Sequence, residues 1–152
     1  MPDPALLDSE EFDRWRGEAD RALLSARLQR REALYNWACF SAEQGAQLAV
    51  KGLLHGLGRG PWGHDLDRLG ALLVTAGVAV PGAIVDRMHR LTRHYIPARY
   101  PDAHPGGQPG DHYGARDADE AIWDAERIIA FVDRVWREAE GDQAVEDGDQ
   151  GG

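Results

Sequence analysis

Cysteine and lysine are almost missing from this chain. Cys39 is the only cysteine in 152 residues, so no disulfide and no set of thiolate ligands can form within one copy. Lying between Ala38 and Phe40, it is expected to be a small core residue. No apolar run is long enough to span a bilayer, and the start MPDPALLDSEEF has neither the basic opening nor the apolar centre of a secretory signal. These absences predict a cytoplasmic protein with no membrane contact. With 43% hydrophobic residues the chain is long enough for one domain with a real core and too short to suggest two.

Excess positive charge is missing too. The formal net charge is −9, but six of the 26 acidic residues lie in Glu138–Gly152, which holds no basic residue. The rest carries 20 acidic against 17 basic residues, a balance of −3. Affinity for a phosphate backbone rests on accumulated cations, so a generic grip on RNA or DNA is excluded, and any nucleotide contact has to come from a local basic cluster. Lys51 is the only lysine; the remaining basic residues are arginines.

What is present is helical periodicity. Asp8 and Glu11 have capping-box spacing, and Phe12, Trp15, Ala19, Ala22 and Ala26 then recur at helical intervals to about Arg31. A second pattern, from about Glu32 to Leu57, has a seam of small residues (Ala38, Ala42, Gly45, Ala46, Ala49, Gly52) that lets a neighbouring backbone come close, which predicts a central helix. The glycines and proline of GLGRGPWG break it. DLDRLGALLVTA reads as a third helix ended by Gly77, and a fourth opens at Pro81, carries Ile84, Met88, Leu91 and Tyr95 on one stripe, and stops near Pro97. Pro101–Gly114 is expected to be a mobile loop. A fifth helix spans Asp117 to about Glu138. The expected organisation is one helical domain over residues 8–138 and a disordered acidic tail over 139–152. With no strand pattern and no repeat, the fold class is all-α, an up-and-down bundle of four to five helices.

Four stretches in order resemble the HEPN family (higher eukaryotes and prokaryotes nucleotide-binding) from about Trp15 to Trp136. They are the first two helices, with Tyr35, Phe40, Gln44 and Lys51 at the recurrent aromatic, Gln and Lys positions; GHDLDRL; YIPARYPDA; and ADEAIWDAERIIAFV. Gln47 stands where many relatives carry Glu. The resemblance implies a HEPN-like bundle that forms a homodimer, binds a nucleotide or RNA in the shared cleft, and works beside a minimal nucleotidyltransferase in a toxin–antitoxin-type pair. It implies no cofactor and no metal.

HEPN ribonucleases carry an Arg-x4–6-His pair. The imidazole moves a proton to or from a ribose hydroxyl or leaving oxygen while the guanidinium steadies phosphoryl charge, with no metal required. Arg99 with His104 and Arg87 with His94 meet the spacing. With this many arginines and histidines, about two matches arise by chance. Arg99 and His104 are the candidate catalytic pair, against the reading of a helix-end anchor and a solvated loop histidine. Arg87 and His94 are candidate ligand contacts on a basic helix edge, or merely a solvated flank. Gln44 and Lys51 are candidate ligand contacts on helix two, where Glu43, Gln47 and Lys51 also form a ladder that can simply support the helix. His104, Asp111 and His112 suit a metal only on paper, for want of groups to orient them. Two alternatives stay open beside the nucleotide or RNA binder: a metal-independent endoribonuclease, and a helical assembly module without catalysis.

Overall fold

The computed structural model describes residues 6–151. Residues 1–5, which carry part of the N-terminal argument, and residue 152, the end of the tail, lie outside the described residues. The described residues form five α-helices and two short 3-10 turns, with no strand: α1 Ser9–Arg31, α2 Tyr35–Gly56, α3 Leu66–Thr75, α4 Gly82–Thr92 and α5 Ala115–Gln150, with the turns at Pro101–Ala103 and Pro109–His112. The all-α bundle expected from periodicity is the observed fold.

Contacts between helices set their directions. On α2, Gly45 meets Ala19 and Leu23 while Gly52 meets Phe12 and Trp15, so α1 runs antiparallel to α2. Arg30 reaches Asp119 and Arg16 reaches Asp133, so α5 runs antiparallel to α1. Arg87 bonds Asp124 and Arg93 approaches Glu120, which sets α4 antiparallel to α5. α2 is the central helix: its small seam is buried, and a methyl group added at Gly52 would lie 2.8 Å from the Trp15 Cβ. At Gly56 the obstacle is Trp136, whose ring stacks on Phe12 with centroids 4.3 Å apart. Leu53, Leu54, Leu69, Leu73, Met88, Leu91, Ile128 and Val132 fill the core. Cys39 lies in it, and burial pushes its thiol up to about 12.

Local chemistry explains the helix starts. Asp8 caps α1 by accepting from the Glu11 amide at 3.0 Å. Asp65 caps α3, and Thr92 accepts from the Leu66 amide at 3.1 Å, so the start of α3 is tied to the end of α4. After α3, Gly77 takes φ 91° and Val78 donates back to Leu73, the left-handed stop expected of a glycine there.

Four expectations need correction. α2 begins at Tyr35, not Glu32, because the chain turns through Ala33 at φ 60°, a left-handed conformation that no glycine or asparagine announces. α4 ends at Thr92; His94 to Arg99 continue as successive tight turns. The segment from Pro101 to Gly114 is packed by its own side chains: Pro109 is buried, and the Asp111 carboxylate accepts from the Gln108 amide at 3.0 Å at the start of the second 3-10 turn. Finally, no break marks residue 138. α5 runs on to Gln150 through the expected acidic tail, whose alanines, glutamates and glutamines are good helix formers, and Ala139 and Gln143 line a groove with Leu6 and Leu7.

Candidate functional site

On α2, Phe40, Glu43, Gln44, Gln47 and Lys51 follow one another at helical intervals, and the turns after α4 bring Tyr95 and Arg99 against Phe40 and near Glu43. One buried bond sets this apposition: the Asn36 side chain donates to the Ala98 carbonyl at 3.0 Å, pinning the backbone next to Arg99 onto α2.

Arg99 sits among three rings. Its guanidinium carbon lies 4.2 Å from the ring centre of Phe40, 4.6 Å from that of Tyr95 and 5.0 Å from that of Tyr100. Its Nε donates to the Tyr95 carbonyl at 2.9 Å. The terminal nitrogens have no hydrogen-bond partner among the described residues, so a rigidly held fork keeps its outer donors free. Tyr95 also stacks on His64, ring centres 5.2 Å apart. Arg59 and His64 share the Arg-x4-His spacing as well, and sequence reasoning passes over this pair because His64 reads as part of a helix start.

Glu43 is the residue that sequence reasoning undervalues. It is fully buried, accepting from Gln47 Nε2 on one oxygen and from Gln44 Nε2 at 2.8 Å on the other. Burial raises its carboxyl to about 7, while the two amide bonds and the nearby charges of Arg99 and Lys51 pull the other way. Lys51 is half-buried, and desolvation lowers its ammonium while Glu43 raises it. Arg99 and Lys51 thus share one acidic neighbour. Gln47 acts as the amide partner that neutralises neither, and the carboxylate expected just before the lysine is supplied one helical turn earlier. The signal available in sequence was the four-residue spacing itself, which cannot say whether the ladder faces water.

His104 is held firmly, contrary to the mobile loop expected. Its Nε2 lies 2.6 Å from the Pro97 carbonyl, and its ring stacks on His112 at 4.2 Å with planes 4° apart. A carbonyl only accepts, so Nε2 carries the proton and Nδ1 is left as the basic lone pair. His112 in turn donates from Nε2 to the Gly106 carbonyl at 2.7 Å. The two rings point their Nε2 atoms at separate carbonyls, and among the described residues no His, Cys, Asp and Glu group is arranged for a metal.

Arg87 and His94 do not form the shared basic edge expected of them. Arg87 donates to Asp124, which also takes two bonds from Arg90. His94 lies past the end of α4, buried near the Tyr113 hydroxyl at 3.4 Å, and burial lowers its imidazolium to about 4. It is a neutral core histidine near pH 7. The helix turns before reaching it, which is why periodicity misplaces it.

The fold and the cluster define an all-helical protein with a half-buried polar site on its central helix. The chain belongs to the HEPN family, whose domain profile matches residues 12–135. TT1696 from Thermus thermophilus is 40% identical, with a TM-score of 0.78, covering 81% of this chain and 96% of that one. ST0689, described as an archaeal HEPN homologue, is 36% identical over 80% of this chain and 94% of its own, with a TM-score of 0.68. An HEPN domain protein, tm0613, from Thermotoga maritima is 27% identical over 82% and 98%, with a TM-score of 0.67. No curated protein matches the chain. No helix among the described residues is long and apolar enough to cross a membrane.

Proposed function

We propose that the chain binds a nucleotide or RNA through Gln44, Lys51 and Arg99, in a cleft completed by a second copy, and that it works with a minimal nucleotidyltransferase. The observation that carries this reading is the Arg99 guanidinium clamped among the rings of Phe40, Tyr95 and Tyr100 with its outer donors free, beside the buried Glu43 of α2. A planar guanidinium fixed in this way suits a phosphate oxygen pair, and the neighbouring rings suit a base. Trp37 near the start of α2 is exposed, and Leu48 and Lys51, about three and four turns further along the same helix, are half-exposed, which supports α2 as the face on which two copies meet. In a titration with a labelled single-stranded RNA and with a nucleoside triphosphate, Lys51→Ala and Arg99→Ala are each expected to weaken binding by about tenfold or more. Binding by both variants at the wild-type level rules the site out. Co-purification of the tagged chain with the product of a neighbouring nucleotidyltransferase gene tests the partner.

A second reading, a metal-independent endoribonuclease, is favoured by one specific contact. The His104 ring is anchored to Pro97, two residues before Arg99 in the same turn-rich segment, and keeps Nδ1 free as a base. Here Nδ1 takes the ribose 2′-hydroxyl proton and Arg99 balances the charge on the phosphoryl oxygens. RNA cleavage in EDTA that disappears in both His104→Ala and Arg99→Ala is the expected result; RNA left intact by a pure, correctly assembled wild type excludes it. Retention of RNA binding with no cleavage returns the chain to the first reading, and absence of both leaves an assembly module.

A further inference from the structure

The net charge of −9 leaves a gap in the RNA reading, because two cations on α2 and its neighbouring turn are few for a chain that repels phosphate overall. A separate groove of about 450 Å³ lies between the start of α4 and the middle of α5. Four arginines line it, Arg87, Arg127, Arg134 and Arg137, and no carboxylate does. It shares no lining residue with the site on α2. Arg87 is neutralised by Asp124. Arg127, Arg134 and Arg137 are exposed and make no salt bridge among the described residues, whereas most arginines on the outer faces of α1 and α4 are paired.

We infer that this groove binds the phosphodiester backbone of a single-stranded RNA. The three unpaired arginines fall on one face of α5, Arg134 and Arg137 about 10 and 15 Å along the axis from Arg127. That is a line of cations fit to follow a strand rather than a pocket for one ion. Arg134 lies over the Phe131 ring, its guanidinium carbon 5.7 Å from the centre. Arg87 covers one side of the Trp123 ring at 5.3 Å, and Trp123 is 60% exposed, which leaves an aromatic surface at the groove edge on which a base can stack. α4 begins at this groove, so the positive end of its dipole adds to the field. For the identity of the polyanion the inference rests on the reading of the chain as an RNA-binding HEPN protein. The groove then supplies the local basic cluster that reading needs.

The test is fluorescence anisotropy of a labelled oligouridylate over a salt series, with the full chain. Arg127→Gln, Arg134→Gln and Arg137→Gln are combined in one variant, and Arg31→Gln, Arg68→Gln and Arg116→Gln, three exposed arginines elsewhere, in a control of equal charge. The groove variant is expected to bind on the order of 100-fold more weakly at low salt, and its plot of log affinity against log salt to be shallower by about 2, the contribution of three phosphate contacts on a single strand. The control is expected to keep the wild-type slope. Equal weakening in both, or in neither, overturns the inference. Loss of a wild-type oligomer in the groove variant, by sedimentation, also overturns it, since the groove then receives the acidic C-terminal helix of another copy. Lys51→Ala and Arg99→Ala in the same series separate the two claims: binding lost there and kept in the groove variant leaves the α2 site and removes the groove. The reverse removes the α2 site and leaves the groove, and no binding by the wild type ends both.

Discussion

Glu43 and His94 are buried ionisable side chains whose shifts oppose each other. The Glu43 carboxyl is raised from 4.5 to about 7, so the folded state holds a proton there that the unfolded state has released; its stabilising share is complete below 4.5 and is lost as pH rises through 7. The His94 imidazolium is lowered from 6.5 to about 4, so its share is complete above 6.5 and is lost as pH falls through 4. Between those limits the slopes have opposite sign, each approaching about 1.4 kcal/mol per pH unit, and they cancel in the wild type. Urea unfolding across this range is therefore expected to show Glu43→Gln losing stability on acidification and His94→Gln gaining it, each by about 2–3 kcal/mol. Parallel profiles for the two variants contradict the assignment. Asp124 is another buried acidic side chain, only 2% exposed, and takes bonds from Arg87 and Arg90. Removing both arginines leaves that charge buried alone, and Arg87→Ala with Arg90→Ala is expected to cost about 3–5 kcal/mol in the same assay. Asp124→Asn should cost less, because the freed guanidiniums already touch water and can turn towards it. Sequence could not rank these residues. The spacing of Glu43, Gln47 and Lys51 puts them on one side of a helix, but which of them is buried depends on what packs there, and the turns that bring Arg99 near Glu43 are fixed through Asn36.

Helices were legible where their chemistry is local. Small residues from Ala38 to Gly52 announce a close-packed helix, Asp8 and Asp65 announce starts, and Gly77 announces a stop. The gaps lay where geometry is imposed from a distance or by an unexpected residue. Ala33 holds φ 60° in the α1–α2 turn, an arrangement that costs a residue with a Cβ about 1–2 kcal/mol. Ala33→Gly is therefore expected to raise stability by up to about 1 kcal/mol, the gain being trimmed by the wider freedom of glycine in the unfolded chain. A lowered thermal midpoint would show that the turn carries no strain. The opposite substitution tests the seam. At Gly52 the nearest atom to an added methyl is the Cβ of Trp15, fixed to the α1 backbone and unable to swing aside. Gly52→Ala is expected to force α1 and α2 apart and cost about 1–3 kcal/mol, despite the better helix propensity of alanine. The loop after Pro101 was misread for a different reason: prolines and glycines predict an absence of regular structure, which is not an absence of contacts, and the His104–His112 stack joins residues that no periodicity connects.

Across the whole molecule, charge is divided unevenly, and the division can be tested by shortening the chain. Residues 139–152 hold five carboxylates and no cation, and their removal changes the net charge from −9 to −4. The end of α5 is mostly exposed, with only Ala139 and Gln143 partly covered, so little apolar area is lost with it. A chain ending at Glu138 is expected to keep cooperative unfolding, with stability within about 1 kcal/mol of the full chain and a far-ultraviolet helix signal reduced in proportion to the missing turns. If the chain binds RNA as proposed, its affinity should rise at low salt and converge with the full chain at high salt, because the lost carboxylates act through a field that salt screens. Non-cooperative unfolding would make the last turns of α5 part of the domain instead of an extension of it. A salt-independent change in affinity would mean that they touch the RNA, or its groove, directly. The arginine groove itself was not legible in sequence, since Arg127, Arg134 and Arg137 have the spacing of any solvated helix face. Only the packing of α4 against α5 turns that face into one wall of a channel.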